Sequence, residues 1–258
     1  MQKIAACIVC LMAFVAATYA QAFESVPAPA ESNLIGTING KLKIRMKLTK
    51  QGEHLTGTYA YDTQKKNIVV RGLVNEQGYF ELTEYGAKDY PTGYFVGAFT
   101  RDNVVVGFWG KDESSLSAKL PVRLVEDAKA TVGVNNKFEV ISANVKSDHG
   151  GAQILLIDDA VIAFYYENVG ANAHTCTLTV DRSETGVQWK TEGQTTTLNF
   201  TKEYINIDEN TAKVVIQKRG VTYTITFDGY VSYFCGARAM LPSKVTLRKG
   251  SKGWIGQE

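Results

Sequence analysis

The stretch GKLKIRMKL, residues 40–48, decides the fold class, because apolar and basic side chains alternate along it without interruption. The apolar positions are Leu42, Ile44, Met46 and Leu48. The basic positions are Lys41, Lys43, Arg45 and Lys47. Successive side chains of a strand point to opposite faces of a sheet, so this pattern predicts a strand with one face in a core and the other in solvent.

Comparable segments recur about every ten residues, a spacing typical of β-sandwiches and β-barrels. In the first half we predict strands at residues 55–61, 67–74, 79–85, 93–100, 103–109 and 118–125. In the second half we predict them at residues 152–157, 160–166, 175–180, 195–200, 213–218, 221–227 and 244–247. The alternation is lost at residues 126–137. We therefore expect an all-β protein with two antiparallel β domains, at residues 33–127 and 128–258.

Glycine and an aromatic residue are separated by one position at five places in the first half. The pairs are Gly57 and Tyr59, Gly78 and Phe80, Gly93 and Phe95, Gly97 and Phe99, and Gly107 and Trp109. Glycine lets a strand bend sharply and an aromatic ring can cover the bare backbone, so the first domain is predicted to be a strongly curved meander or a small barrel. The rings either pack in the core of the curved sheet, which we favour, or form a platform for a glycan or peptide.

The N-terminus has the layout of a secretory signal peptide. Lys3 precedes an apolar run at residues 4–15, and small residues lead to an A-x-A site with cleavage after Ala20 or Ala22. The alternative, a membrane anchor, would need an apolar run of roughly 20 residues. We expect residues 1–22 to be removed, residues 23–32 to form a flexible lead-in, and the mature chain to be periplasmic or secreted.

Two cysteines remain after this cleavage, Cys176 and Cys235. An even number of cysteines in an exported protein favours a disulfide, and closing a loop of this length stabilises a fold by about 4 kcal/mol in the chain-entropy treatment. The alternative is a pair of unpaired buried thiols. We predict the disulfide.

The composition argues against a nucleic-acid partner and against a recognisable catalytic site. The chain has 28 Lys and Arg against 26 Asp and Glu, whereas binding to phosphates needs a basic excess. Its three histidines, His54, His149 and His174, are too scattered for a metal motif. The neighbouring carboxylates Asp158 and Asp159 would point apart in a tight turn, and no nucleophile or phosphate-loop motif occurs. We therefore expect no enzyme activity, no metal site and no cofactor.

The four basic residues of the 40–48 strand, here called the basic stripe, are the candidate binding surface: Lys41, Lys43, Arg45 and Lys47. Such a stripe suits contact with anionic lipid, an anionic glycan or an acidic protein patch. The alternative, which is the commoner one, is a solvated strand face or an edge strand that lysines protect from aggregation.

Two segments that contain the cysteines, YFCGARA at residues 233–239 and HTC at residues 174–176, resemble a pattern in uncharacterised secreted proteins of Gram-negative bacteria. In those proteins a C-terminal CGARA segment is paired with an earlier cysteine, and some occur beside modules of the LprI lysozyme-inhibitor type. The resemblance implies a secreted protein that binds another envelope protein. In this segment Arg238 either hydrogen-bonds nearby carbonyl groups or faces a partner.

Together these features predict a non-catalytic binding protein of the bacterial periplasm or outer envelope. Its partner would be another envelope protein, and inhibition of a cell-wall hydrolase is one form of this role. The alternative is a structural or surface-associated envelope protein whose basic stripe contacts anionic glycan or lipid.

Overall fold

The computed structural model describes residues 24–64, 66–101, 103–112, 118–126, 136–145, 150–169, 174–205, 211–236, 239–250 and 254–255. The predicted signal peptide and the candidate contact residue Arg238 lie outside these ranges. Strands dominate the described chain, as predicted, and its one α-helix, α1, spans Lys202–Ile205. No helix in these ranges has both the length and the apolar character that a membrane crossing requires.

Eight strands of the first half form a closed barrel, each paired with the next along the chain. They are β1 (Glu31–Ile38), β2 (Leu42–Gln51), β3 (His54–Tyr61), β4 (Ile68–Val74), β5 (Tyr79–Tyr85), β6 (Pro91–Thr100), β7 (Val104–Gly110) and β8 (Lys119–Glu126). β1 also pairs with β8, and this pairing closes the barrel. The predicted curved domain is therefore confirmed as a barrel.

The N-terminal end of the described chain differs from the predicted flexible lead-in. β1 begins at Glu31, inside the predicted lead-in, and was missed because its sequence ESNLIGTI mixes polar residues and a glycine with few apolar ones. The residues before it also lie against the barrel: the Val26 amide donates to the Phe99 carbonyl at 2.9 Å, and Ala28 is buried. Backbone pairing with β6 therefore fixes this segment.

The barrel interior is filled by the side chains that the alternation assigned to a core. Ile44, Met46 and Leu48 are buried, whereas Leu42, at the start of β2, is 48% exposed. The same core contains the aromatic residues of the glycine pairs: Tyr59, Phe80, Phe95, Phe99 and, partly buried, Trp109. These rings pack in the core and do not form a surface platform.

Close approach of neighbouring strands explains part of the glycine pattern. Gly97 on β6 lies opposite Gly107 on β7. A Cβ atom at Gly97 would lie 2.3 Å from the Val106 carbonyl oxygen and 2.9 Å from the Gly107 Cα atom. Only glycine fits such a contact without moving a strand, so the bend depends on these positions.

Ten strands of the second half form two sheets. The first sheet has the order β12–β11–β10–β9–β18, and the second has the order β13–β14–β15–β16–β17. The strands are β9 (Phe138–Val145), β10 (Gly150–Ile157), β11 (Ala160–Val169), β12 (Thr175–Asp181), β13 (Val187–Glu192), β14 (Thr195–Phe200), β15 (Ala212–Arg219), β16 (Thr222–Gly229), β17 (Lys244–Arg248) and β18 (Trp254–Ile255). One apolar cluster contains side chains from both sheets, so the domain is a sandwich. All described pairings in it are antiparallel except that of β18 with β9.

The predicted disulfide is present. Cys176 on β12 and Cys235 are joined with an S–S distance of 2.03 Å across 59 residues of sequence. The Gly236 amide donates to the Thr175 carbonyl at 2.8 Å beside it. The bridge therefore attaches the short helical turn at Val231–Phe234 to the edge of the first sheet.

A separate apolar cluster joins the barrel to the sandwich. From β6 and β7 it contains Val96, Val104, Val106 and Phe108. From β10 and β11 it contains Leu155, Ile157, Ile162, Ala163 and Tyr165. Each of these strands packs one face into the core of its own domain and the other face against the neighbouring domain. Because both faces are buried, the sequences of β7 and β10 are nearly continuous apolar runs. Barrel and sandwich are therefore packed against each other through this buried apolar cluster.

The bend at β6 and β7 gives a testable prediction. Gly97→Ala should destabilise the protein by about 1–3 kcal/mol, because the added methyl group collides with backbone atoms. Gly52→Asn is the control: Gly52 has open space around it and a φ of +62°, which asparagine tolerates. Urea unfolding followed by circular dichroism measures both, and equal stability of the two variants would contradict the close-packed bend.

Candidate functional site

A cleft of about 660 Å³ lies between the barrel and the sandwich, and we call it the junction cleft. The barrel contributes Ser25, Glu53, Asn75, Glu76, Gln77 and Tyr79. The sandwich contributes residues from the β12–β13 turn and from β13, among them Arg182, Glu184, Thr185, Gln188 and Trp189. Clefts between domains are common places for ligand sites, and this volume is in the usual range.

Asn75 connects the two walls of the cleft. Its side-chain Nδ2 donates to the backbone carbonyl of Arg182 at 2.6 Å, although the residues are 107 positions apart. Its Oδ1 accepts from the backbone amides of Gln77 and Tyr79, both at 3.1 Å. One side chain therefore shapes the β4–β5 turn and also fixes that turn to the sandwich.

Arg182 lies between aromatic rings from both domains. Its guanidinium carbon is 5.3 Å from the ring centroid of Tyr79 and 5.1 Å from that of Trp189. Its Nε donates to the Val161 carbonyl at 2.7 Å, and Nη2 donates to the Thr191 hydroxyl at 3.3 Å. Burial lowers the pKa of Arg182 below its usual value. The guanidinium is the most basic side-chain group in proteins and is treated as a cation.

Carboxylates outnumber cations in this part of the molecule. Glu53, Glu76 and Glu184 line the cleft, and Arg182 is the only cation among its described lining residues. The carboxylate oxygens of Glu184 and of two further residues, Glu81 and Asp181, lie within 4.8 Å of one another. The cleft therefore has a negative local potential.

The three clustered carboxylates are the described residues that come nearest to a metal-ligand set. Asp181 is already engaged in its own turn, since its Oδ1 accepts from the Ser183 amide and hydroxyl, each at 2.6 Å. The expected absence of a metal remains a prediction.

A second polar cluster lies inside the barrel and was not predicted. The Glu84 carboxylate accepts from the Tyr59 hydroxyl at 2.6 Å, the Thr92 hydroxyl at 2.8 Å and the Trp109 indole N–H at 3.0 Å. Burial, together with the hydrogen bond to Glu84, raises the pKa of Tyr59 well above its usual value. Both Glu84 oxygens have donors, so this carboxylate organises the barrel core. A signal was present in the sequence: Glu84 stands in the inward-facing set with Phe80 and Leu82.

The basic stripe lies away from the junction cleft. Lys43, Arg45 and Lys47 are on the outer face of β2, and Lys41 is in the turn before it. β2 and β3 lie on the wall of the barrel opposite β6 and β7, which contact the sandwich. Arg45 Nε donates to Asp62 Oδ1 at 3.3 Å.

The structure does not bring the remaining candidate residues into one site. His54 is on the barrel and His174 precedes β12 in the sandwich, whereas His149 lies outside the described residues. Asp158 and Asp159 occupy the β10–β11 turn with φ values of +49° and +67°.

Both turn carboxylates serve structural contacts. Asp158 accepts from the Lys137 amide at 2.7 Å. Asp159 accepts from Lys218 Nζ at 2.8 Å, and this hydrogen bond holds the pKa of Asp159 below its usual value.

Comparisons with family models, with curated proteins and with solved structures gave no significant match to this chain. The resemblance around Cys176 and Cys235 therefore stays a sequence-based prediction.

The stacking of Arg182 can be tested by a conservative change. Arg182→Lys should destabilise the protein by about 1–2 kcal/mol, because an ammonium group has no planar face to stack on two rings and its single nitrogen cannot take the places of both Nε and Nη2. Arg219→Lys, at an exposed position, should change stability by less than about 0.5 kcal/mol. Urea unfolding measures both, and an unchanged Arg182→Lys variant would contradict this role.

Proposed function

We propose that the protein is a non-catalytic binding protein of the bacterial envelope, and that the junction cleft receives a basic segment of another envelope protein. The observation that carries this proposal is the charge of the cleft. Three carboxylates line it against one cation, and that cation is already held between two aromatic rings. A lysine or arginine side chain is the protein group that such a surface attracts most strongly.

The construction of the cleft supports a preformed site. Its walls come from two domains that are joined by a buried apolar cluster and by the hydrogen bond from Asn75 to Arg182. A rigid site loses little conformational entropy when a partner binds. Exposed amide groups at Gln77 and Gln188 can hydrogen-bond a peptide backbone at the rim.

The cellular setting also fits this proposal. A disulfide persists in oxidising compartments such as the periplasm or the cell exterior. With the predicted signal peptide, this supports an exported protein. Inhibition of a cell-wall hydrolase is one form of the proposed role, in which a basic loop near the active site of the hydrolase would occupy the cleft.

The proposal is tested with the basic peptide acetyl-KRKRK-amide and the acidic peptide acetyl-EDEDE-amide, by calorimetric titration. The protein should bind the basic peptide and not the acidic one. The triple variant Glu53→Gln, Glu76→Gln and Glu184→Gln should weaken that binding by about tenfold or more, because the charges that attract the peptide are removed. Activity of a lysozyme incubated with the protein gives a second readout for the inhibitory form.

The control removes three carboxylates that lie outside the cleft: Glu31→Gln, Glu192→Gln and Glu203→Gln. This variant has the same net charge as the cleft variant and should bind the basic peptide nearly as well as the unchanged protein. Equal weakening in the two triple variants, or no preference for the basic peptide, would rule out the cleft as the binding site.

A further inference from the structure

We infer that the barrel carries a second binding site, beside the basic stripe, for an anionic glycan: a sugar chain that bears phosphate, sulfate or carboxylate groups. This site goes beyond the proposed function and does not depend on it. It is on the opposite wall of the barrel from the sandwich.

The site is a groove of about 660 Å³ on the outer face of β2 and β3, and we call it the basic groove. On this face its polar lining consists of Arg45, Lys47, Thr58, Asp62 and Asn67. Strand register brings two of these together, since Lys47 is directly opposite Thr58. Lys43 is two positions along β2 from Arg45, so the basic side chains are spaced by about 7 Å on one face.

The groove has an excess of positive charge. Asp62, the one carboxylate among its described lining residues, is in an ion pair with Arg45 at 3.3 Å. Lys47 in the groove, and Lys43 beside it on β2, have no ion-pair partner within the described chain, and both are exposed. Ammonium groups that are not neutralised by the protein are free to pair with the charges of a ligand.

Uncharged polar groups in the same groove suit the hydroxyl groups of a sugar. Thr58 and Asn67 contribute a hydroxyl and an amide, which can both donate and accept.

The shape and lining favour a glycan over a membrane surface. A membrane surface is read by clustered charges with apolar side chains that insert between lipids. The described lining of this groove contains no large aliphatic side chain, and its charges lie along a concave surface with sugar-compatible partners. A single sugar chain is narrow enough to lie along such a groove. A flat bilayer would contact only the edges of the groove.

The test compares dextran sulfate with neutral dextran of the same length, by calorimetric titration of the mature protein. We expect binding of dextran sulfate that weakens with rising salt and no binding of neutral dextran. Lys43→Gln with Lys47→Gln should weaken binding by about tenfold or more, because two charge-assisted contacts are lost. The control, Lys190→Gln with Lys202→Gln, removes two exposed charges from the sandwich and should weaken binding by less than about twofold.

Two further measurements separate the groove from a general charge effect and from a membrane site. Thr58→Val and Asn67→Ala keep the net charge and should each weaken binding by a further factor of about three. Vesicles of phosphatidylglycerol and phosphatidylcholine should bind more weakly than dextran sulfate at equal anion concentration. Equal loss in both lysine pairs, no effect of the uncharged substitutions, or stronger binding to vesicles would overturn the proposal.

Discussion

The contact on which the rest of the structure depends is the buried apolar interface between the outer faces of β6 and β7 and those of β10 and β11. Nearly all residues of β7 and β10 are buried on both faces, and burial of apolar surface contributes roughly 25 cal/mol per Å² to stability. The interface makes the barrel and the sandwich parts of one packed body. The junction cleft opens beside this interface, at the point where the apolar contact between the two domains ends.

Polar groups at the edge of this interface give it a fixed geometry. Apolar packing is not directional, so by itself it would tolerate sliding of one domain against the other. The hydrogen bond from Asn75 to the Arg182 carbonyl and the stacking of Arg182 between Tyr79 and Trp189 are directional, and each joins the two domains. The resulting cleft has acidic and aromatic walls, whereas the opposite wall of the barrel is basic. We therefore propose ligands of opposite charge for the two surfaces.

Side-chain alternation predicted most of the fold, since it depends only on which face of a strand is buried. β2 is the clearest case, with Ile44, Met46 and Leu48 inside and Lys43, Arg45 and Lys47 outside. β1, β13 and β18 were missed because short or mostly polar strands have weak alternation; β13, VQWKTE, has one buried residue. β9, FEVISANV, was missed because its buried positions include the carboxylate Glu139 beside Ile141 and Ala143. The disulfide followed from the number of cysteines and the predicted compartment.

The junction cleft could not be predicted from local sequence. Its walls come from segments about a hundred residues apart, and the Asn75 to Arg182 bond spans 107 positions. No sequence pattern within either segment indicates that the two segments are in contact. The basic groove could be predicted in part. The alternating sequence of β2 showed its basic residues, whereas the residues of β3 beside them were identified only from the strand register in the structure.

The most direct test of the packed junction is whether both domains unfold together. Trp109 reports on the barrel and Trp189 on the sandwich. Two variants would each keep one of these residues, with the other and Trp254 changed to Phe, and their urea unfolding would be followed by tryptophan fluorescence and by far-UV circular dichroism. One packed body predicts that, within each variant, both signals give a single transition with the same midpoint. A fluorescence midpoint that departs from the circular dichroism midpoint, with two separate transitions, would contradict it.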